Sequence, residues 1–148
     1  MPPRKPMKDE PCPVARSVDL IGDRWSLLIV RDAFDGMRRF SDFQRSLGVA
    51  RNILSDRLRK LLDAGVLEMR AASDGTAYQE YVLTARGESL FPVVVALRQW
   101  GEQYLFERDE RHSVLLDKNT GKPIPRMTPR AKDGSVLLPA STVVRKLP

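Results

Sequence analysis

The chain has 148 residues, 42% hydrophobic and 30% charged, with a net charge of +6. That is enough for one cored domain with an appendage, and the Lys and Arg excess points to a polyanionic partner such as nucleic acid. One cysteine and one histidine exclude an internal disulfide framework and a structural zinc site, and no apolar run approaches the roughly 20 residues that span a membrane.

Residues 1–11, MPPRKPMKDEP, are rich in proline and charge and lack the apolar stretch of a signal peptide, so they read as a flexible basic arm of a cytoplasmic protein. From Pro13, Val14, Val18 and Ile21 fall at helical spacing, and Gly22 ends the run. Pro13 fits a first helical turn, which makes Cys12 the expected N-cap. Asp23 caps a second helix, RWSLLIVRDAF. Its residues Trp25, Leu27, Leu28, Ile29 and Val30 make it apolar nearly all round, so it is expected to be central to the core.

After the break at Asp35–Met37, Ser41 is the expected cap of a short helix carrying Phe43 and Leu47, stopped by Gly48. A longer helix then runs from near Ala50 to Gly65. Leu54, Leu58, Leu61 and Leu62 form its buried stripe. The runs VLEMR and YQEYVLT read as two strands, and Asp74–Gly75 between them as a hairpin turn. Thr84 is placed to cap one long helix reaching Phe106, with a kink at Pro92. Residues 107–148 form a C-terminal extension, read either as small hairpins around Gly121 and Gly134 or as disordered chain.

Short helix, glycine turn, longer helix and hairpin is the order of a winged helix-turn-helix, so the fold class is mainly α (α+β). In such a unit the first helix braces the second, and the second lies in the DNA major groove. With the leucine stripe removed, Arg51, Asn52, Ser55 and Arg59 remain on the outward face of helix 50–64. Arg and Asn are the side chains that bond bidentately to guanine and adenine edges. Arg57 and Lys60 flank them and are expected to meet phosphates; Arg38, Arg39 and Ser41 at the start of the preceding helix are further expected DNA-binding residues. Between Arg38 and Lys60, seven Lys or Arg stand against two acids.

The segments CPVARSVDLIGDRWSLLIVRDAFDGMRRFSDFQRSLG, LSDRLRKLLDAGVLEMR and EYVLTARGESLFPVVVALRQWG resemble the HxlR-type family of winged helix-turn-helix transcription regulators. The likeness rests on CPV, Asp23-Arg24-Trp25, RF before the short helix, EY-LT after the wing, and W-G late in the last helix. It implies a homodimer that binds operator DNA and represses or activates nearby genes, with repression the expected sign; two-fold symmetry then makes the double-stranded operator a near-palindrome. It also implies a domain over 12–106 whose first and last helices form the dimer contact, with Val14, Val18, Leu97, Trp100 and Tyr104 as the candidate interface.

The chain departs from that pattern in three places. Ala50 stands where a capping Ser is usual. The wing tip carries Asp74 and no Lys or Arg between Ala71 and Ala77. The extension has no cysteine to hold zinc. Nothing in the chain has the pattern of a catalytic centre, a cofactor loop or a metal cluster, so no enzyme is expected. Cys12 is open to two readings. The helix start and Arg16 draw negative charge to it, against Asp9 and Glu10, and family members sense oxidants or electrophiles through a cysteine at the matching position. Otherwise it is a small packed residue, and any effector binds noncovalently near the dimer interface. A winged-helix adaptor that does not bind DNA is the remaining alternative.

Overall fold

The computed structural model of the chain describes residues 6–148; the first five residues of the 1–11 arm lie outside them. Six α-helices and one two-stranded sheet are found among the described residues. The chain divides into two compact units, the first ending at Val94 and the second running from Val95 to Pro148.

In the first unit, α1 (Pro13–Ile21) begins as the sequence dictates. Cys12 takes the extended N-cap conformation, its Sγ accepts from the Ala15 N–H at 3.4 Å, and Pro13 places its missing donor where no intrahelical partner exists. Only Ile21 of this helix is buried. Helix α2 (Arg24–Phe34) is capped by Asp23, whose Oδ2 accepts from the Ser26 N–H at 3.0 Å. Helix α2 is central to the core, as its composition implies. Ile29 and Val30 are fully enclosed, whereas Trp25, Leu27 and Leu28 are not fully buried. The enclosed residues also include Ser26 and Asp32.

Helix α3 (Phe40–Leu47) corrects the reading of Ser41 as a cap. The cap position is Arg39, whose carbonyl accepts from Asp42 and Phe43, and Ser41 lies exposed inside the first turn. The start is fixed from outside the helix: the Tyr81 N–H donates to the Arg38 carbonyl at 2.7 Å, pinning the chain before it coils. Phe43 is fully buried, and Gly48 closes the helix in the left-handed region at φ 61°, which a side chain would strain.

Helix α4 (Arg51–Asp63) follows, with Ala50 at its cap and no side-chain bond there. Leu54, Leu58 and Leu61 pack with Ile21, Ile29, Val30 and Phe43 into the core. Strands β1 (Leu67–Ala71) and β2 (Gln79–Leu83) pair antiparallel, Leu67 opposite Leu83 and Ala71 opposite Gln79. The wing turn is an Asx turn, Thr76 N–H to Asp74 Oδ1 at 3.0 Å, with Gly75 at φ 80°.

The single long kinked helix expected after Thr84 is two helices. Thr84 caps only α5 (Ala85–Glu88), accepting from the Gly87 N–H at 3.0 Å. The chain then turns at Ser89–Leu90 and restarts as α6 (Phe91–Tyr104). Pro92 accounts for this. Inside a continuous helix its ring would strike the carbonyl of Glu88, whereas in a first turn its missing N–H costs nothing. Edge-on contact of Phe34 with Phe91, centroids 5.4 Å apart, ties the restart to α2.

In the second unit the extension is laid along α6. The Gln99 amide donates to the Pro125 carbonyl at 3.0 Å and accepts from the Met127 N–H at 2.8 Å, and Arg98 donates to the Ser113 carbonyl at 3.1 Å. Two tight reversals follow, each closed by one antiparallel bridge, Leu116 with Pro123 and Arg130 with Val136. No helix among the described residues is long and apolar enough to cross a membrane.

Candidate nucleic-acid interface

Helix α4 is amphipathic with its polar side to solvent. Arg51, Asn52, Ser55 and Arg59 are all exposed, opposite the buried leucines. Arg59 forms no ion pair among the described residues. Arg51 lies with its guanidinium 4.7 Å from the centroid of the Phe40 ring. That stacking fixes the direction of the Arg51 side chain at the helix start while leaving its donors open.

The other cations divide differently from expectation. Arg57 is turned to the start of α2: its Nε donates to Asp23 Oδ2 at 3.0 Å and its Nη1 to Asp56 at 2.6 Å. Lys60 donates to the Asp19 carbonyl at 3.0 Å and stands 3.9 Å from Asp23 Oδ1. These two brace α4 against α1 and α2 and stand apart from the Arg51–Arg59 face. Burial by itself would raise the Asp23 carboxyl, but its interactions with Ser26 and then Arg57 outweigh burial and hold it below its ordinary 3.8. Asp23 also raises Arg57.

Arg38 reaches Glu80, a buried carboxylate on β2, at 3.3 Å. The same carboxylate accepts from the Ser73 N–H at 3.3 Å, so Arg38 anchors the base of the wing. Arg39 extends to the wing tip. It is ion-paired with Asp74, donates to Thr76 Oγ1 at 3.3 Å, and lies 4.8 Å over the Tyr78 ring. The Thr76 N–H, then its side chain, then Arg39 hold the Asp74 carboxyl below its ordinary value. The wing thus gains a cation that its own residues lack, and Asp74 neutralises it.

Between wing and helices lies a cleft of about 500 Å³ whose walls include Arg39, Phe40, Ser41, Arg51, Met69 and Tyr78. Phe40 and Tyr78, each under an arginine, are candidate positions that the sequence pattern did not disclose. The RF and AYQEY runs hold the right residue types, but which arginine meets which ring is set by the fold. Cys12 is exposed. Val14, Val18, Leu97, Trp100 and Tyr104 are exposed as well, from 52% at Leu97 to 69% at Val14, so none is core within one copy. No group of three or more metal-ligating side chains occurs among the described residues.

A model described as the HxlR-like helix-turn-helix matches residues 20–109. The uncharacterized HTH-type transcriptional regulator Rv3095 of Mycobacterium tuberculosis is 46% identical over 107 residues, which is 72% of this chain and 67% of that protein. The solved structure of PA1607, described as a candidate transcription factor, superposes with a TM-score of 0.90 at 52% identity over 95% of this chain and 98% of its own. The redox regulator HypR in its reduced form superposes with a TM-score of 0.57 at 30% identity, over 62% of this chain and 92% of its own. The relatives are transcription regulators and not enzymes.

Proposed function

The chain belongs to the HxlR-like helix-turn-helix family of transcription regulators, and we propose that it acts as a homodimeric, sequence-specific repressor in the cytoplasm. Its winged helix-turn-helix domain covers 12–106, with α1 and α6 as the dimerisation helices. Helix α4 enters the major groove. Arg51 and Asn52 at its start, with Ser55 and Arg59 further along, read base edges or adjacent phosphates. Ser41 and the wing base at Arg38 contact the backbone, and Arg39 joins them when phosphate displaces Asp74. A two-fold dimer places the two α4 helices about 34 Å apart, or a multiple of that, on a near-palindromic operator.

The observation that carries this reading is the exposed Arg51–Asn52–Ser55–Arg59 face on the second helix of the motif, back to back with the buried Leu54, Leu58 and Leu61. A mobility-shift titration with DNA flanking the protein's own gene tests it. Binding that weakens steeply with salt supports it, and no binding across the salt range refutes it.

Control through Cys12 is the finer reading of the effector. The thiol is exposed at the start of α1, beside Val14 and Val18, so a modification there alters the surface that the dimer would use. A noncovalent ligand held at that interface is the competing reading, and an adaptor without DNA affinity is disfavoured by the basic α4 face.

A further inference from the structure

Charge is segregated along this chain. Residues 118–148 hold seven Lys or Arg against one acid, Asp133, a surplus equal to the +6 of the whole chain. Residues 61–117 hold ten acids against five Lys or Arg, and five of those acids (Glu102, Glu107, Asp109, Glu110 and Asp117) fall between 102 and 117. Opposite charges this close in sequence would be expected to pair. Yet among the described residues none of the seven basic side chains is ion-paired. Arg126 and Arg130 bond only to neutral oxygens, the Gln103 amide and the Gly134 carbonyl.

The same segment has a fixed path without a core. The Gln99 clamp, the two bridged reversals and a turn of 3-10 helix at Pro139–Ser141 set its course. No residue from 107 to 148 is buried. Val136, Leu138, Val143, Val144 and Leu147 all face solvent, Val143 at 92% and Val144 at 77% exposure. Ordering a chain costs conformational entropy that burial must offset, and one copy of this segment offers little burial to do so. The likeness to PA1607 spans 95% of this chain, so the path reaching into this segment is shared with a solved structure.

We propose that residues 118–148 form a clasp that seats on a second copy of this chain. Its Lys and Arg meet the acidic stretch 102–117 of that copy, and its valines and leucines cover apolar surface beside it. DNA would satisfy the cations and leave the apolar side chains in water, whereas a second copy supplies both an acidic stretch and exposed apolar side chains such as Leu97, Trp100 and Tyr104. The clasp rests on the homodimer reading and extends the interface beyond α1 and α6.

The test uses the full chain without DNA. Two variants, Val143→Asp with Val144→Asp, and Lys118→Glu with Lys122→Glu, alter exposed side chains only, so the fold of one copy is expected to persist; circular dichroism checks this. Sedimentation equilibrium gives the dimer constant. A mixture of ¹⁴N and ¹⁵N chains treated with carbodiimide, which joins Lys amines to carboxylates, shows whether Lys118, Lys122, Lys132 or Lys146 lies against acids of another copy. The expected result is a dimeric parent, dimerisation weakened roughly tenfold or more in each variant, and crosslinks of mixed isotope. A dimeric parent with unchanged variants, or crosslinks of one isotope only, overturns the clasp and leaves the dimer standing. A parent that stays monomeric overturns both. Unchanged dimerisation, with weaker DNA binding of the same variants in a separate mobility-shift titration, overturns the clasp and assigns the segment to DNA.

Discussion

Arg57 sits on the proposed DNA-reading helix, yet the structure gives it a bracing role, and this can be separated from DNA binding by measurement. Asp23 caps α2 through the Ser26 N–H and also binds Arg57 Nε at 3.0 Å, the two side chains being 27% and 30% exposed. A charge-assisted bond of that length contributes about 2 kcal/mol when well enclosed. Screening at this partial exposure reduces it to about 1 kcal/mol. Asp23→Asn keeps an N-cap acceptor and removes the charge, so it and Arg57→Ala should each destabilise by about 1 kcal/mol. The double variant should cost little more than either alone, a coupling of about 1 kcal/mol. Urea denaturation of the four proteins at one slope measures this. In parallel, the salt dependence of DNA binding should be unchanged in Arg57→Ala. In Arg59→Ala its slope should fall by about 0.9 for each phosphate that Arg59 neutralises. A coupling below about 0.3 kcal/mol, or an Arg57→Ala slope that falls as the Arg59→Ala slope does, would refute the brace.

Three further outcomes follow from the same geometry. Because the folded-state carboxyl of Asp23 is depressed below 3.8, its contribution is present above the unfolded value and lost as pH falls through the folded one; the stability gap between parent and Asp23→Asn should hold from about pH 7 to 5 and close below about pH 4, and a gap that persists in stronger acid contradicts this. Gly87→Ala should destabilise by about 3 kcal/mol, since an added Cβ would lie 2.1 Å from the Val66 carbonyl oxygen and 2.9 Å from Leu83 Cδ2, although helix propensity alone favours Ala; an unchanged melting temperature would mean that Gly87 does not lie this close to Val66 and Leu83. If Cys12 is the sensor, a quinone or aldehyde should release DNA from the parent and not from Cys12→Ser, and equal release from both assigns control elsewhere.

Much of the fold is legible in the sequence because its punctuation is local. Pro13 and Gly22 bound α1, Asp23 caps α2, Gly48 ends α3, and Asp74–Gly75 turns the wing, each through contacts within a few residues. The leucine stripe of α4 and its polar opposite face are legible for the same reason, since helical periodicity carries them. What is not legible depends on partners far along the chain. Ser41 loses the cap because Tyr81, on β2, pins Arg38. That Arg57 and Lys60 also hold Asp23, just before α2, and the Asp19 carbonyl, on α1, cannot be read from helical spacing. Arg39 reaches a wing 35 residues away. The break before α6 is different, because its signal is local: Pro92 suggests a kink, but its ring ends one helix and opens another.

That the Arg51–Arg59 face of α4 holds DNA is most directly measured by a mobility-shift titration at physiological salt. The parent, Arg51→Ala and Arg59→Ala are compared against DNA flanking the protein's own gene, with folding of each variant checked by its melting curve. Both side chains are exposed, so neither change should alter stability appreciably. Affinity is expected to fall by about tenfold or more in each variant. Variants that bind as tightly as the parent would contradict a DNA-reading role for this face.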